Sequence, residues 1–446
     1  MARLIQYSDI ENAYDDPERV ARLAGLVNEL RDGETIVVGT GDTLAPGVCS
    51  LATRGGCALP FFEAIRPDAE TFGNHDFDYG LDRTLEIVGE SPQEWISANV
   101  FSEGDRFGVA EGVESSTVIE TAGGTRVGFV GVTHPATTDM TPAAGALSIT
   151  DPIEAIETVV EKLRPRVEFV CVLSHCGALD DEIARQCDVD CVLGGHVHDE
   201  RISTVAGTIC TRPNANGHRV CAVDLDAGTA TFHETAAGPI DEVLRHRYET
   251  MRENAGLDEV VAAVEEPIER SQSLRLGGEC RAGNFVADAY RWAAETDCAL
   301  QNAGGIRDGP PLAGEIEVAD LVSLVPFGER VVVCEIRGRE LHGVLADAYR
   351  SPHGEPNWYA HVSGLRVVYD TTTESVAECS VGGEALDPDR TYSLATNAYL
   401  LGTPHEFPTL IPAHRVGVLD TQWKELAAYA REHGIAPHVD GRVALR

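Results

Sequence analysis

The sequence predicts a layered α/β fold in two domains, on three observations. Buried-looking strand runs such as TIVVGTGD, TRVGFVGVTHP and VEFVCVLSHCG alternate with stretches of helical apolar spacing. Polar residues cluster at the ends of those runs, where strands of an α/β sheet open into a shared crevice. The length, 446 residues, exceeds what one ordinary core holds.

Taken in order, residues 2–8 read as a strand. PERVARLAGLVNELR (17–31) follows as a helix with Pro at its start. TIVVGTGD is a buried strand, 81–89 a helix and EWISANV a strand. A helix over 151–163 precedes the strand VEFVCVLSHCG. A helix at about 180–187 precedes DCVLGGHVH, and HRVCAVDLD with GTATFHET reads as a hairpin. Residues 240–265 are expected as one long helix, broken at most at Gly256, with TAAGP (235–239) as the linker before it. The second half carries a helix over 284–295, strands at 331–336, 365–369 and 391–396, and a C-terminal helix over 421–433. The expected division is therefore 1–236, a helical linker over 237–266, and 267–446. No internal repeat or low-complexity tract interrupts it.

The charge balance is unusual. Lys+Arg total 35 against 72 Asp+Glu, a formal net charge of -37. Such a surface repels a polyanion, so no nucleic acid polymer is expected as a partner. It fits a folded protein suited to high salt, where screening weakens self-repulsion. No run of roughly 18 apolar residues is present, so no membrane span is expected. The first residues carry no signal-peptide pattern, and a cytoplasmic protein is expected. The 12 cysteines are scattered. Cys171, Cys191 and Cys221 read as small core residues rather than zinc ligands.

The chemistry concentrates in five motifs of the first half. They are Asp9 and Glu11 in YSDIEN, Asp42 in GTGD, and Asn74, His75 and Asp78 in GNHDFD. His175 in SHCG and His196 and His198 in GGHVH complete the set. An Asp after a strand usually caps a helix or a turn. Five strand ends delivering Asp, Asn and His to one crevice point instead to a metal site. Mixed carboxylate and imidazole donors suit Mn²⁺, Zn²⁺, Fe²⁺ or Co²⁺ better than an all-oxygen cage for Mg²⁺ or Ca²⁺.

The order D-x-E, G-D, G-N-H-D-x-D, H and G-H-x-H resembles the calcineurin-like metallophosphoesterase superfamily. In the second half QNAGGIRDG (301–309), CRAGNFVADAY (280–290), VPFGE (325–329) and ATNAYL with Phe407 resemble elements of the 5′-nucleotidase C-terminal domain. The resemblance implies a four-layer αββα metallophosphoesterase domain followed by a separate α/β nucleotidase domain. It implies two divalent metal ions. Asp42 would bridge both; Asp9 and His198 would complete one, with Glu11 where the family commonly has His. Asn74, His175 and His196 would hold the other. His75, oriented by Asp78, would face the phosphate. Arg307 would grip phosphate, Asn302 and Gly304 would help hold the nucleotide, and Phe327 and Phe407 would sandwich the base. Arg275 and Arg281 are further candidates for anion binding. His134 in VTHPAT is read either as approaching the phosphate or as a cap.

The implied activity is metal-dependent release of phosphate from nucleotides, extending to 2′,3′-cyclic nucleotides or nucleotide sugars. The extra carboxylate of Glu11 favours a harder ion, Mn²⁺, unless Asn12 replaces it. Two alternatives stand beside this reading: a catalytically degenerate nucleotide sensor, and a related hydrolase acting on a non-nucleotide anion. Relatives rotate one domain against the other, and residues 240–265 are where such a hinge is expected here.

Overall fold

The computed structural model describes residues 2–350 and 357–446. The chain divides into two compact units, Met1–Ala255 and Gly256–Arg446.

In the first unit two six-stranded sheets lie face to face. One runs in the order Thr229–Glu234, Arg219–Asp224, Arg3–Tyr7, Thr35–Gly39, Ala69–Glu70, Glu94–Trp95. The other runs Glu200–Val205, Thr208–Pro213, Cys191–Gly194, Phe169–His175, Arg126–Thr133, Ser116–Glu120. Period-two alternation builds the layers. Leu4, Ile36 and Val38 of one sheet meet Val127, Phe129, Cys171 and Leu193 of the other in a shared core. Val130, Val132, Val170 and Val172 turn outward onto Ile156, Val159 and Val160 of the helix Pro152–Leu163 and Ile183 of the helix Asp180–Gln186. On the opposite side Tyr7 meets Phe61 of the helix Ala58–Ile65 edge-on at 5.5 Å. The helix Pro17–Leu30, capped by Asp16, covers the same face. This is the expected αββα sandwich. The central strands are parallel, so Tyr7, Gly39, His175 and Gly194 all end at one side.

The second unit is a separate α/β domain. Its five-stranded sheet runs Ala360–Ser363, Cys298–Asn302, Thr391–Asn397, Arg330–Arg337, Arg415–Thr421. A four-stranded sheet carries Leu365–Asp370 and Val443–Leu445. The helices Arg281–Ala294 and Gln422–His433 bury Phe285, Tyr290, Leu426 and Ala430. Trp358, Leu394, Phe407 and Leu410 belong to the core.

The single helix expected over 240–265 is two elements. The helix Glu242–Asn254 belongs to the first unit, where Tyr248 stacks on Tyr14 at 5.7 Å. Gly256 then takes a left-handed φ of +67°, and Val260–Ile268 is a strand paired antiparallel with Leu312–Glu317. Valines at 260, 261 and 264 fit a pleated surface, and tertiary pairing overrides the helical spacing. Among the described residues no helix is long and apolar enough to cross a membrane.

Candidate metal centre

The strand ends of the first unit present two groups of ligand atoms. Asp42, His175 and His196 form one; Asp9, Glu11 and His198 form the other, and within each group the atoms lie within 4.8 Å of one another. His196 Nδ1 also approaches Asn74 Oδ1 at 2.9 Å, which brings Asn74 to the first group. The backbone N–H of His196 donates to Asp9 Oδ1 at 3.1 Å and ties the two groups together. Asp9, Glu11, Asp42, Asn74 and His175 are buried, while His196 is half-buried and His198 exposed. The interior thus holds three carboxylates, and an imidazole looks in from solvent. Asn12, the alternative to Glu11, is exposed, whereas Glu11 Oε1 lies 3.3 Å from His198 Nε2.

The local backbone is bent to make this possible. Asp9, Glu11, Asp42 and His196 all have left-handed φ values of 48°, 43°, 52° and 71°. Each such non-glycine residue costs roughly 1–3 kcal/mol and persists where its surroundings over-determine it. Here the loop contacts do so. Asp76 accepts the backbone N–H groups of Asp42, Thr43, Leu44 and Gly73, at 2.7–3.0 Å. A Cβ on Gly73 would stand 2.1 Å from Asp42 Oδ1, and one on Gly195 2.4 Å from Ser8 Oγ. The glycines of GNHD and GGHVH therefore let these loops close on the carboxylates. Beneath them Glu70 accepts from the Tyr7 hydroxyl and from Thr43 and Gly41. Burial raises its carboxyl to about 8.

The electrostatics show what the site is suited to hold. His175 donates Nδ1–H to the Thr40 carbonyl at 2.7 Å. That leaves the Nε2 lone pair facing Asp42 Oδ2 at 3.1 Å, and this buried nitrogen has no hydrogen-bond partner. Two acceptors at that distance repel unless a proton or a cation lies between them. Without a cation, protons take that place. Burial lowers the His175 ring, but Asp42 outweighs it and pushes it up to about 10. Hydrogen bonds to Asp9 and Glu11 push His198 to about 10. Burial, and then His175, press His196 down to about 4. Burial alone would raise Asp42, yet His175 and His75 hold it well below the usual carboxylate range. Oxygen and imidazole donors, one of them orphaned and buried, fit divalent cations of the Mn²⁺ to Zn²⁺ series.

His75 stands beside this cluster. Its N–H donates to Asp42 Oδ1 at 2.7 Å and its Nδ1 pairs with Asp78 Oδ2 at 2.9 Å. Burial lowers this ring, but Asp78 and Asp42 outweigh it and raise it to about 10. The pairing turns Nε2 away from Asp78 as a cationic donor.

In the second unit the expected residues part company. Arg307 is exposed and its guanidinium lies 4.9 Å over the half-buried Phe327 ring. Asn302 is buried; its amide donates to Glu406 Oε2 at 2.7 Å and accepts from Asn397 at 2.9 Å. Gly304 gives Glu406 room, since a Cβ there would come 2.9 Å from Oε1. Phe407, expected as a wall of a base sandwich, is 0% exposed in the hydrophobic core and cannot stack on a ligand. The loop GTPHE turns Glu406 onto Asn302 and Phe407 into the core, with Arg350 clamping the carbonyls of His405 and Glu406. Besides Tyr359 under Arg350, a half-buried aromatic in this region is Tyr399. Its hydroxyl is raised by burial, then by Glu406 and Glu329, while Arg307 and Arg350 act the other way. Arg275 and Arg281 do not serve as free anion grips either. Arg275 is buried on the carbonyls of Arg270 and Ala303 and on Asp308, and Arg281 binds the carbonyls of Pro437, Glu266 and Pro267. Both guanidiniums are spent on internal partners. Asp76, Glu70 and Tyr399 were missed from sequence; only the extra Asp inside GNHDFD was a visible signal.

Comparison with known proteins agrees with this architecture. Residues 2–200 match the calcineurin-like phosphoesterase family model, and residues 260–410 match the 5′-nucleotidase C-terminal domain model. The chain is 26% identical over 385 residues to the endonuclease YhcR of Bacillus subtilis, covering 77% of this chain and 31% of that protein. It thus spans about a third of that relative's length. It is 25% identical over 404 residues to a 5′-nucleotidase of Bos taurus, covering 79% of this chain and 70% of the relative. A solved 5′-nucleotidase precursor from Thermus thermophilus superposes with a TM-score of 0.79 at 22% identity, covering 100% of this chain and 99% of that one.

Proposed function

Starting from a phosphate-ester hydrolase, we propose that this chain releases phosphate from nucleoside 5′-phosphates. The first unit supplies hydrolysis and the second recognises the nucleotide. The observation that carries this reading is the orphaned Nε2 of His175, buried 3.1 Å from Asp42 Oδ2. Asp9, Glu11 and His198 would hold one divalent cation and Asn74, His175 and His196 the other, with Asp42 between them. A bound pair of such cations neutralises phosphate charge and makes hydroxide available at neutral pH. The residues of the chain do the rest. Thr40 fixes the His175 tautomer. Asp76 holds the Asp42 loop in its strained form. His75, kept protonated by Asp78 and Asp42, offers a proton to the leaving oxygen or a hydrogen bond to the phosphoryl group.

For the nucleoside, Phe327 supplies a stacking face and Tyr399, not Phe407, is the second aromatic. Arg307 binds phosphate. The His75–Asp78 dyad has no use in a mere sensor, which favours the enzyme reading. Mn²⁺ is the ion we favour, because Glu11 adds a hard oxygen donor. The twelve free thiols support a reducing, cytoplasmic setting. The net charge of -37 supports a protein suited to high salt and argues against a polymeric substrate.

The test is a phosphate-release screen in high salt with each metal in turn. It covers nucleoside mono- and diphosphates, cyclic nucleotides, nucleotide sugars and single-stranded DNA. Turnover of a nucleoside monophosphate with Mn²⁺ is the expected result. Stoichiometric binding without phosphate release would return the sensor reading, and preferential cleavage of DNA would overturn the charge argument.

A further inference from the structure

The turn after the strand Arg126–Thr133 carries a group that the reaction above does not use. Asn99 clamps Thr133, accepting its N–H at 2.9 Å and donating to its carbonyl at 2.8 Å. The next residue, His134, donates its backbone N–H to the His175 carbonyl at 3.1 Å. Its ring stacks on His196, with centroids 5.2 Å apart and planes 22° apart. Seven residues on, Thr141 donates its hydroxyl to the Asn74 carbonyl at 3.1 Å. The segment 134–141 therefore touches Asn74, His175 and His196, which share one candidate metal group.

The state of the His134 ring follows from its contacts. Nδ1 accepts the N–H of Ala136 at 3.1 Å. A neutral imidazole that accepts at Nδ1 carries its proton on Nε2. Nε2 lies across the ring from the turn, on a half-buried side chain, and makes no hydrogen bond among the described residues.

We infer that His134 is a further substrate-binding residue, whose Nε2–H donates to a phosphoryl oxygen held beside the Asn74, His175 and His196 group. The chemistry of the surroundings favours this assignment. Beside the cations, a phosphoryl group is held by fixed N–H donors aimed at its oxygens. His75 supplies one. His134 supplies a second, neutral and pre-oriented by the Ala136 contact and the stack on His196. A neutral donor keeps its proton through the reaction; a cationic ring stacked on His196 would weaken that residue as a ligand.

The inference rests on reading this site as one for metal-dependent phosphoryl hydrolysis. The wild-type protein tests that reading, by its turnover of an aryl phosphate and by calorimetric binding of inorganic phosphate to the Mn²⁺-loaded chain. His134 is tested by two variants. His134→Phe keeps an aromatic ring against His196 and removes the donor, and His134→Gln replaces the ring with an amide N–H. The expected result for His134→Phe is about a tenfold or greater loss in kcat/KM and in phosphate affinity, with metal content unchanged. His134→Gln should recover part of both. Wild-type phosphate binding and kinetics in His134→Phe would overturn the inference. Loss of metal in step with activity would also overturn it, because the ring would then serve only to position His196. Should His134→Phe fail to fold by circular dichroism, His134→Gln decides alone. Phosphate affinity as weak as in a His134→Ala chain with full metal would sink the donor role, and affinity above it would support the role.

Discussion

The two units solve the placing of polar groups in opposite ways. In the first, Asp9, Glu11, Asp42 and His175 are buried and turned toward each other, with the His175 Nε2 lacking any hydrogen bond. Four backbone positions there are held in the left-handed region. In the second, polar side chains near the expected ligand region pair internally: Asn302 with Glu406 and Asn397, and Arg275 with Asp308 and two carbonyls. A buried group without a partner costs free energy. The first site is therefore built to be completed from outside, and the second is nearly complete without a ligand. Removing what completes the first should be far more damaging than trimming any one contact of the second.

The largest expected effect tests that contrast directly. Asp42→Asn removes the charge facing His175, and chelation removes the cation. Either should cut phosphate release by about a thousandfold or more, since the nucleophile is lost. Mn²⁺ at about 100 times its dissociation constant should stabilise the wild-type first unit by roughly 2.7 kcal/mol. Differential scanning calorimetry with and without Mn²⁺ reads this, and Asp42→Asn should lose most of the shift. A melting profile indifferent to metal would remove the distinction between the units.

Next in size is His75→Ala. It leaves the two ligand groups as they are and removes the proton that Asp78 and Asp42 hold on the ring. Turnover should fall by about 10²–10⁴, with metal content by elemental analysis unchanged. Equal loss of metal and activity would make His75 a ligand instead.

The same contrast explains what the sequence revealed. The layer order was legible from the alternation of strands and helices, and the polar residues stood out because strand ends carry Asp, Asn and His; the structure brings Asp42, His175 and His196 together, and Asp9, Glu11 and His198. Chain order alone then exposes Asp9, Asp42, the GNHDFD group and the histidines. The residues that support them were not legible. Asp76 acts by accepting four backbone N–H groups, and its place inside GNHDFD marks its presence but not that role. In the second unit a motif names which residues stand near one another but not which way they turn. Phe407 follows Glu406 by one position, and in the folded loop Glu406 turns onto Asn302 while Phe407 enters the core. Arg275 and Arg281 were misread for the same reason, because an arginine gripping carbonyls looks like any other in sequence. The helix expected over 240–265 failed because Val260–Ile268 finds a partner strand 52 residues from its start, at Leu312.

A smaller effect comes from one of the second unit's own unpartnered groups. His361 is buried on the strand Ala360–Ser363, and its Nε2 has no hydrogen-bond partner. Burial, with Arg275 nearby, pushes it down from 6.5 to about 4. The unfolded chain then binds a proton below pH 6.5 that the folded unit refuses until about pH 4. Stability is thus full above pH 6.5 and is lost as pH falls from 6.5 toward 4, by roughly 3 kcal/mol at the acid end. Denaturant melts at pH 7.5 and pH 4.5, repeated on His361→Gln, check this. An unchanged difference in the variant would assign the acid loss elsewhere.

The smallest effect decides which aromatic meets a ligand. Phe327 and Tyr399 are half-buried near Arg307, whereas Phe407 is sealed in the core. Losing one stacking face costs about 1–3 kcal/mol of base binding, so Phe327→Ala and Tyr399→Ala should each raise KM for a nucleoside monophosphate about tenfold. Hydrolysis of a small aryl phosphate should be nearly unchanged in both, because that substrate has no base to stack. Phe407→Ala should behave in the opposite way. It opens a cavity costing about 3–5 kcal/mol of stability and should leave KM of the folded fraction close to wild type. Steady-state kinetics beside a denaturant melt separates the two patterns. If Phe407→Ala raises KM for the nucleotide alone and leaves stability intact, the loop GTPHE must turn over when ligand binds, and Tyr399 loses its place as the second wall.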